Sequence, residues 1–174
     1  MEQTIASRIL FEGKHFKFKT DNVLLENGRE TVRDFVEHPG AVAIVAVDKD
    51  EIILVCQFRY ATGKELLELP AGTLEPDEDP FHCAIRELKE ETGYAASNWK
   101  KLLSCYTAPG YSSELIHIYL AQGLTYVGGK PEEDESIKVE RINFNDILQM
   151  IEKNVFEDSK TVTGILSYLT IPNS

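Results

Sequence analysis

Three glutamates crowd together in the stretch GTLEPDEDPFHCAIRELKEETGY, residues 72–94. On a helix turning about 100° per residue, Glu87, Glu90 and Glu91 gather on one arc, with Arg86 just beyond Glu90. Like charges at i, i+3 and i+4 repel by about a few tenths of a kcal/mol per pair, so the cluster is unfavourable unless something neutralises it. Three acids alone are ordinarily a solvated face. Beside a glycine loop, however, a carboxylate cluster is what hard, oxygen-seeking cations such as Mg²⁺ or Mn²⁺ need. A second acidic run, KPEEDESIKVE, supplies Glu132, Glu133, Asp134, Glu135 and Glu140, which have the chemistry of a general base or a further ligand.

The elements that must position these groups can be read from pattern. Asp79 suits an N-cap, Pro80 the first helical position and Gly93 the C-terminal stop, so a helix is expected between them. Its Phe81, Ala84, Ile85 and Leu88 form the arc expected to pack on a sheet. Before it, RILFEG, HFKFKTDNVLL and ETVRDFVEH read as strands, with Asn27-Gly28 as a hairpin turn between the last two. GAVAIVAVD and EIILVCQFRY, joined by Asp48-Lys49-Asp50-Glu51, read as core strands, and ELLELPAG as a shorter strand entering a loop. After the helix come strands KKLLSCYTAPG, ELIHIYLAQG and IKVERINF, then helices NDILQMIEKN and SKTVTGILSYL. This order predicts an α+β fold, with an N-terminal antiparallel sheet that packs apart from the rest.

Bulk properties narrow the partners. The 174 residues are 43% hydrophobic and 27% charged, the balance of a folded globular protein. A net charge of −11 argues against nucleic acid, which calls for clustered Lys and Arg. Cys56, Cys83 and Cys105 show no metal-ligand spacing and read as small buried residues in a reducing compartment. His15, His38, His82 and His117 are scattered, which disfavours a histidine zinc site. The opening MEQTIASRILFEGK has no basic-then-apolar leader and no apolar run reaches membrane-spanning length, so a cytoplasmic enzyme without membrane contact is expected.

The helical segment resembles the Nudix box, G-x5-E-x7-R-E-U-x-E-E-x-G-U with U bulky and apolar. Gly72, Glu78, Arg86, Glu87, Leu88, Glu90, Glu91, Gly93 and Tyr94 fill every defined position. The resemblance implies the Nudix fold, a mixed sheet sandwiched between helices (α/β/α), over residues 40–174, with residues 1–39 as the extra N-terminal sheet. It further implies two or three divalent ions, Mg²⁺ or Mn²⁺, held against a diphosphate. Glu87 and Glu91 would be ligands, Glu90 a ligand or water-orienting acid, and the Ala71 carbonyl a further ligand. Arg86 and Glu78 would brace the cluster.

Outside the box the chain is similar to the ADP-ribose pyrophosphatase branch of that family. The similarity rests on Pro109, fifteen residues beyond Tyr94 in TAPGYSSELIHIYLA, and on the run EHPGAVAIVAVD…QFRY…ELPAG. It implies hydrolysis of ADP-ribose to AMP and ribose 5-phosphate by a homodimer whose N-terminal sheet completes the partner's site. The alternatives are a broader nucleoside diphosphate sugar hydrolase, taking GDP-mannose or UDP-glucose, and a non-catalytic Nudix ligand sensor. By the same resemblance Arg59 contacts the diphosphate or terminal ribose, Glu114 a ribose hydroxyl, and Arg33 reaches across the dimer. Glu133 is the first choice for the base, Glu135 for another metal ligand, and Glu140 a weaker candidate for the base.

Overall fold

The computed structural model describes residues 1–129 and 136–171. Strands β1 (Gln3–Glu12), β2 (Lys17–Leu24) and β3 (Glu30–Glu37) form an antiparallel sheet in that order. The expected hairpin closes at Gly28, whose φ of 78° favours glycine. More than chain continuity ties this sheet to the remainder of the molecule. Val36 bridges to Ser112, its N–H donating to the Tyr111 carbonyl at 2.8 Å.

The second sheet contains β4 (Ala41–Asp48), β5 (Glu51–Arg59), β6 (Lys64–Glu68), β7 (Ala71–Thr73), β8 (Tyr94–Tyr106), β9 (Leu115–Tyr126) and β10 (Ile137–Asn143). Its main path runs β10-β5-β4-β9-β8, with β4 and β9 parallel and its other pairs antiparallel. The β4–β5 hairpin pairs only from Ala46 to Ile53 and then splays apart. Into the opening goes the short β6–β7 pair, β6 against β5 and β7 against β4. At its apex the Ile44 N–H takes the Pro70 carbonyl at 2.8 Å.

Helix α1 (Pro80–Thr92) covers one face of this sheet, while α2 (Phe144–Glu152) and α3 (Ser159–Thr170) cover the other. Strand alternation explains why β4 is apolar from Ala41 to Val47. Val42, Ile44 and Ala46 face the α1 side with Ala84 and Leu88; Ala43, Val45 and Val47 face the other with Ile147 and Ile165. The expected α/β/α sandwich with a separate N-terminal sheet is what forms.

Two readings need correction. Strand β8 begins at Tyr94, directly after Gly93, and so starts ahead of the KKLLSCYTAPG segment. The buried face of α1 is also rotated from the expected arc: Ile85 is 40% exposed, and the buried residues are Cys83, Ala84, Leu88, Glu91 and Thr92. Phe81 lies at the rim, its ring edge-on to Trp99 at 5.7 Å between centroids. The rotation has a consequence for chemistry, because it carries Glu91 under the helix.

Candidate active site

Helix α1 is fixed at both ends as its sequence requires. The Asp79 Oδ1 accepts from the Phe81 N–H at 2.9 Å, and Gly93 stands in the left-handed region at φ 76° while its N–H donates to the Lys89 carbonyl. The loop between Thr73 and the helix is held by Glu78, whose Oε2 accepts from the Glu75 N–H at 3.0 Å.

Arg86 organises the acids. Its Nε donates to Glu78 Oε1 and its Nη2 to Glu78 Oε2, both at 3.0 Å, a two-pronged pairing. Its Nη1 donates to Glu87 Oε1 at 2.6 Å and Glu90 Oε2 at 3.0 Å. The Arg86 hydrogen bonds, opposed by burial, bring the Glu78 carboxyl from its ordinary 4.5 down to about 2. Arg86 is itself held well above the usual guanidinium range, chiefly by Glu78.

Glu91 turns away from this clamp. It is 6% exposed, and its Oε2 accepts from the Ala71 N–H at 2.9 Å. The neighbouring Gly72 lies so close to Glu87 that a Cβ there would fall 1.9 Å from the carboxylate carbon. The β7 backbone and the acidic face of α1 therefore meet at Ala71 and Gly72, a junction open only to glycine. The side chains it brings together are carboxylates, whose oxygens suit a hard divalent ion and no soft one. Among the described residues no three acidic, histidine or cysteine side chains converge on one point, since Arg86 draws Glu87 and Glu90 one way and Ala71 draws Glu91 the other.

The other expected site residues are distributed unevenly. Arg59, at the end of β5, donates from Nε to Glu68 Oε1 at 2.8 Å and from Nη2 to Glu68 Oε2 at 2.7 Å. It lies within electrostatic reach of Glu91, which helps, after Glu68, to raise its pKa. Glu114 precedes β9; its Oε2 accepts from Thr107 Oγ1 at 2.7 Å and its Oε1 is 3.9 Å from His38 Nε2. Arg33 sits on β3, engaged with Glu2 at 2.6 and 3.0 Å. Glu140 is exposed on β10, opposite Leu54. Glu132, Glu133, Asp134 and Glu135 lie outside the described residues.

Sequence reasoning passed over Glu68, Asp158, Lys160 and Thr161, a polar group in which Glu68 and Thr161 are buried and Glu68 pairs with Arg59. The signal was Glu68 set between Leu66-Leu67 and Leu69-Pro70, an acid inside an apolar run.

A family model described as the NUDIX domain matches residues 36–163. An ADP-ribose pyrophosphatase of Bacillus subtilis (strain 168) is 41% identical over 167 residues, covering 94% of this chain and 90% of that protein. A methanol dehydrogenase activator of Bacillus methanolicus is 40% identical over 167 residues, with the same two coverages of 94% and 90%. A crystal structure of an ADP compounds hydrolase matches with a TM-score of 0.85 at 24% identity, covering 97% of this chain and 92% of that one, a likeness of fold. Enzymes with this domain are generally dependent on divalent metal. Matched by the family model over most of its length, with every defined position of the box occupied, this chain belongs to the Nudix family.

Proposed function

We propose that the protein hydrolyses the pyrophosphate bond of ADP-ribose to AMP and ribose 5-phosphate, working as a homodimer with two or three Mg²⁺ ions per site, Mn²⁺ being an acceptable substitute. The observation that carries this reading is the meeting of the α1 carboxylates with Ala71 and Gly72, close to the one arginine of β5, Arg59. The similarity to an ADP-ribose pyrophosphatase across 94% of the chain supports the substrate.

Glu87, Glu91 and the Ala71 carbonyl would hold the metal, with Glu90 and Glu135 completing the set. Bound there, divalent cations neutralise the diphosphate and acidify a coordinated water. The rest falls to the protein. Arg86 holds the Glu87 and Glu90 carboxylates in one orientation, and Glu78 keeps Arg86 in place. Arg59 pairs with the diphosphate or terminal ribose, a task suited to a planar fork of donors. Glu114, steadied by Thr107, accepts from a ribose hydroxyl. Glu133 accepts the proton of the attacking water, with Glu140 the weaker candidate. Arg33 approaches the nucleotide from the partner subunit, the N-terminal residues 1–39 serving dimerisation and residues 40–174 the chemistry. Three cysteines free of disulfide bonds suit the reducing cytoplasm.

A broader range of nucleoside diphosphate sugars is the second reading. It is favoured by the nature of the assigned groups, which address phosphate and ribose and leave the base unread. The test is turnover with MgCl₂ across ADP-ribose, GDP-mannose, UDP-glucose, a dinucleoside polyphosphate and dNTPs, with Glu91→Gln alongside. Preference for ADP-ribose, cut by about a hundredfold or more in the variant, is the expected result. Equal rates across the sugars would replace it with the broader reading. Absence of turnover on all of them would leave a ligand sensor.

A further inference from the structure

Glu68 ends β6 at 1% exposure, and a buried carboxylate is costly unless it is paired and hydrogen-bonded. Two cations from different elements meet it. Arg59 lays Nε and Nη2 on its two oxygens, and Lys160, in the first turn of α3, also reaches Oε2. Lys160 is shared with Asp158 at 3.0 Å, but Asp158 is occupied as the cap of α3, accepting from Thr161 N at 3.0 Å and Thr161 Oγ1 at 2.6 Å. The backbone beneath Glu68 is fixed as well, since the Leu69 N–H donates to Thr161 Oγ1 at 2.9 Å. Glu68 is thus a rigid carboxylate with one arginine and one lysine upon it.

That rigidity settles the pose of Arg59. With Nε and Nη2 bound to Glu68, the Nη1 edge has no hydrogen-bond acceptor among the described residues, on a side chain 38% exposed. A guanidinium gripped on one edge and open on the other is ready for a bidentate or single contact with an anion. Were Glu68 its private partner, the pair would present little net charge to a diphosphate. Lys160 places a second positive charge against Glu68. The α3 N-terminus in turn meets the Asp158 charge that Lys160 shares and Arg59 feels, so Arg59 keeps a positive field.

We propose that Glu68 is a positioning residue for Arg59, and that Lys160 is the counter-charge that lets Arg59, although paired, still attract the anionic substrate. The proposal rests on the reading of Arg59 as a substrate contact. Neither Glu68 nor Lys160 touches substrate; both act through Arg59.

A double-mutant cycle on the full chain tests this, with steady-state kinetics on ADP-ribose and MgCl₂ for Glu68→Gln, Lys160→Met, Arg59→Ala and the two combinations with Arg59→Ala. Each single change is expected to raise KM by about tenfold or more while kcat falls by less than about threefold. Added to Arg59→Ala, Glu68→Gln or Lys160→Met should raise KM by less than about twofold, since the residue they act through is gone. Multiplicative effects, or singles with unchanged KM, would overturn the proposal. Lys160→Arg should restore the wild-type KM, and thermal melts separate loss of folding from loss of orientation. A readout free of substrate is the ¹⁵N–¹H resonance of Arg59 Nε, identified by its disappearance in Arg59→Ala. It should be protected from exchange in the wild type and in Lys160→Met, and lose protection in Glu68→Gln. If the wild type spares ADP-ribose but Glu68→Gln still releases the resonance, the substrate reading fails and the positioning of Arg59 stands. An unchanged resonance in Glu68→Gln sinks the positioning itself.

Discussion

At the scale of single residues, Gly72 and Glu78 make the sharpest demands. Any side chain at Gly72 must enter the space of the Glu87 carboxylate, 1.9 Å from where the Cβ would stand. Gly72→Ala is therefore expected to lose turnover by about a hundredfold while keeping the fold, visible as weaker activation in a MgCl₂ titration with little change in melting temperature. Glu78 makes a prediction in pH. Arg86 lowers its carboxyl from 4.5 to about 2, so the pairing stabilises the protein fully above the unfolded value and is lost as pH falls from 4.5 toward 2. Urea unfolding in EDTA across that window should show a shallower loss of stability in Glu78→Gln than in the wild type. The box acids were legible because their types and spacing are themselves the signal. Glu68 and Lys160 were not, because their pairing joins β6 to α3 and leaves no local pattern.

At the scale of elements, α1 was legible to the residue, since Asp79, Pro80 and Gly93 are boundary chemistry written in the chain. Its facing was less so. A wheel counts apolar residues, and it counted Phe81 and Ile85, whereas the buried arc takes in Glu91, whose carboxylate accepts from the Ala71 N–H of β7. The insertion of β6–β7 into the splayed β4–β5 hairpin was also invisible, because register between strands is a tertiary choice. The C-terminal stop of α1 is testable at this scale. A Cβ on Gly93 would add left-handed strain and come within 2.6 Å of the Tyr126 ring and 3.0 Å of the Gly129 nitrogen. Gly93→Ala should lower unfolding free energy by about 1–3 kcal/mol in denaturant titration, more than a cap in open solvent would cost.

At the scale of the whole molecule, the N-terminal sheet is the part that a single chain leaves uncovered. β1 is exposed along its length and is an edge strand, and Ile5, Ile9, Phe11, Phe18 and Val32 of this sheet are exposed. Sedimentation is expected to give close to twice the 19.6 kDa of one chain, and Ile9→Glu with Val32→Glu should shift it to the single mass. A wild type that sediments as one chain would remove the dimer from the proposed function. The parallel pairing of β4 with β9 bears on how the molecule comes into being. Ala41 pairs with Ile116 across the whole of α1 and β8, so the most apolar strand leaves the ribosome long before the neighbour that completes its ladder. Contacts so distant in sequence must close a long loop before they give anything back, which makes this step slow. During synthesis the β9-facing side of AVAIVAV is an adhesive edge waiting for its mate, the interval in which aggregation is expected to compete with folding.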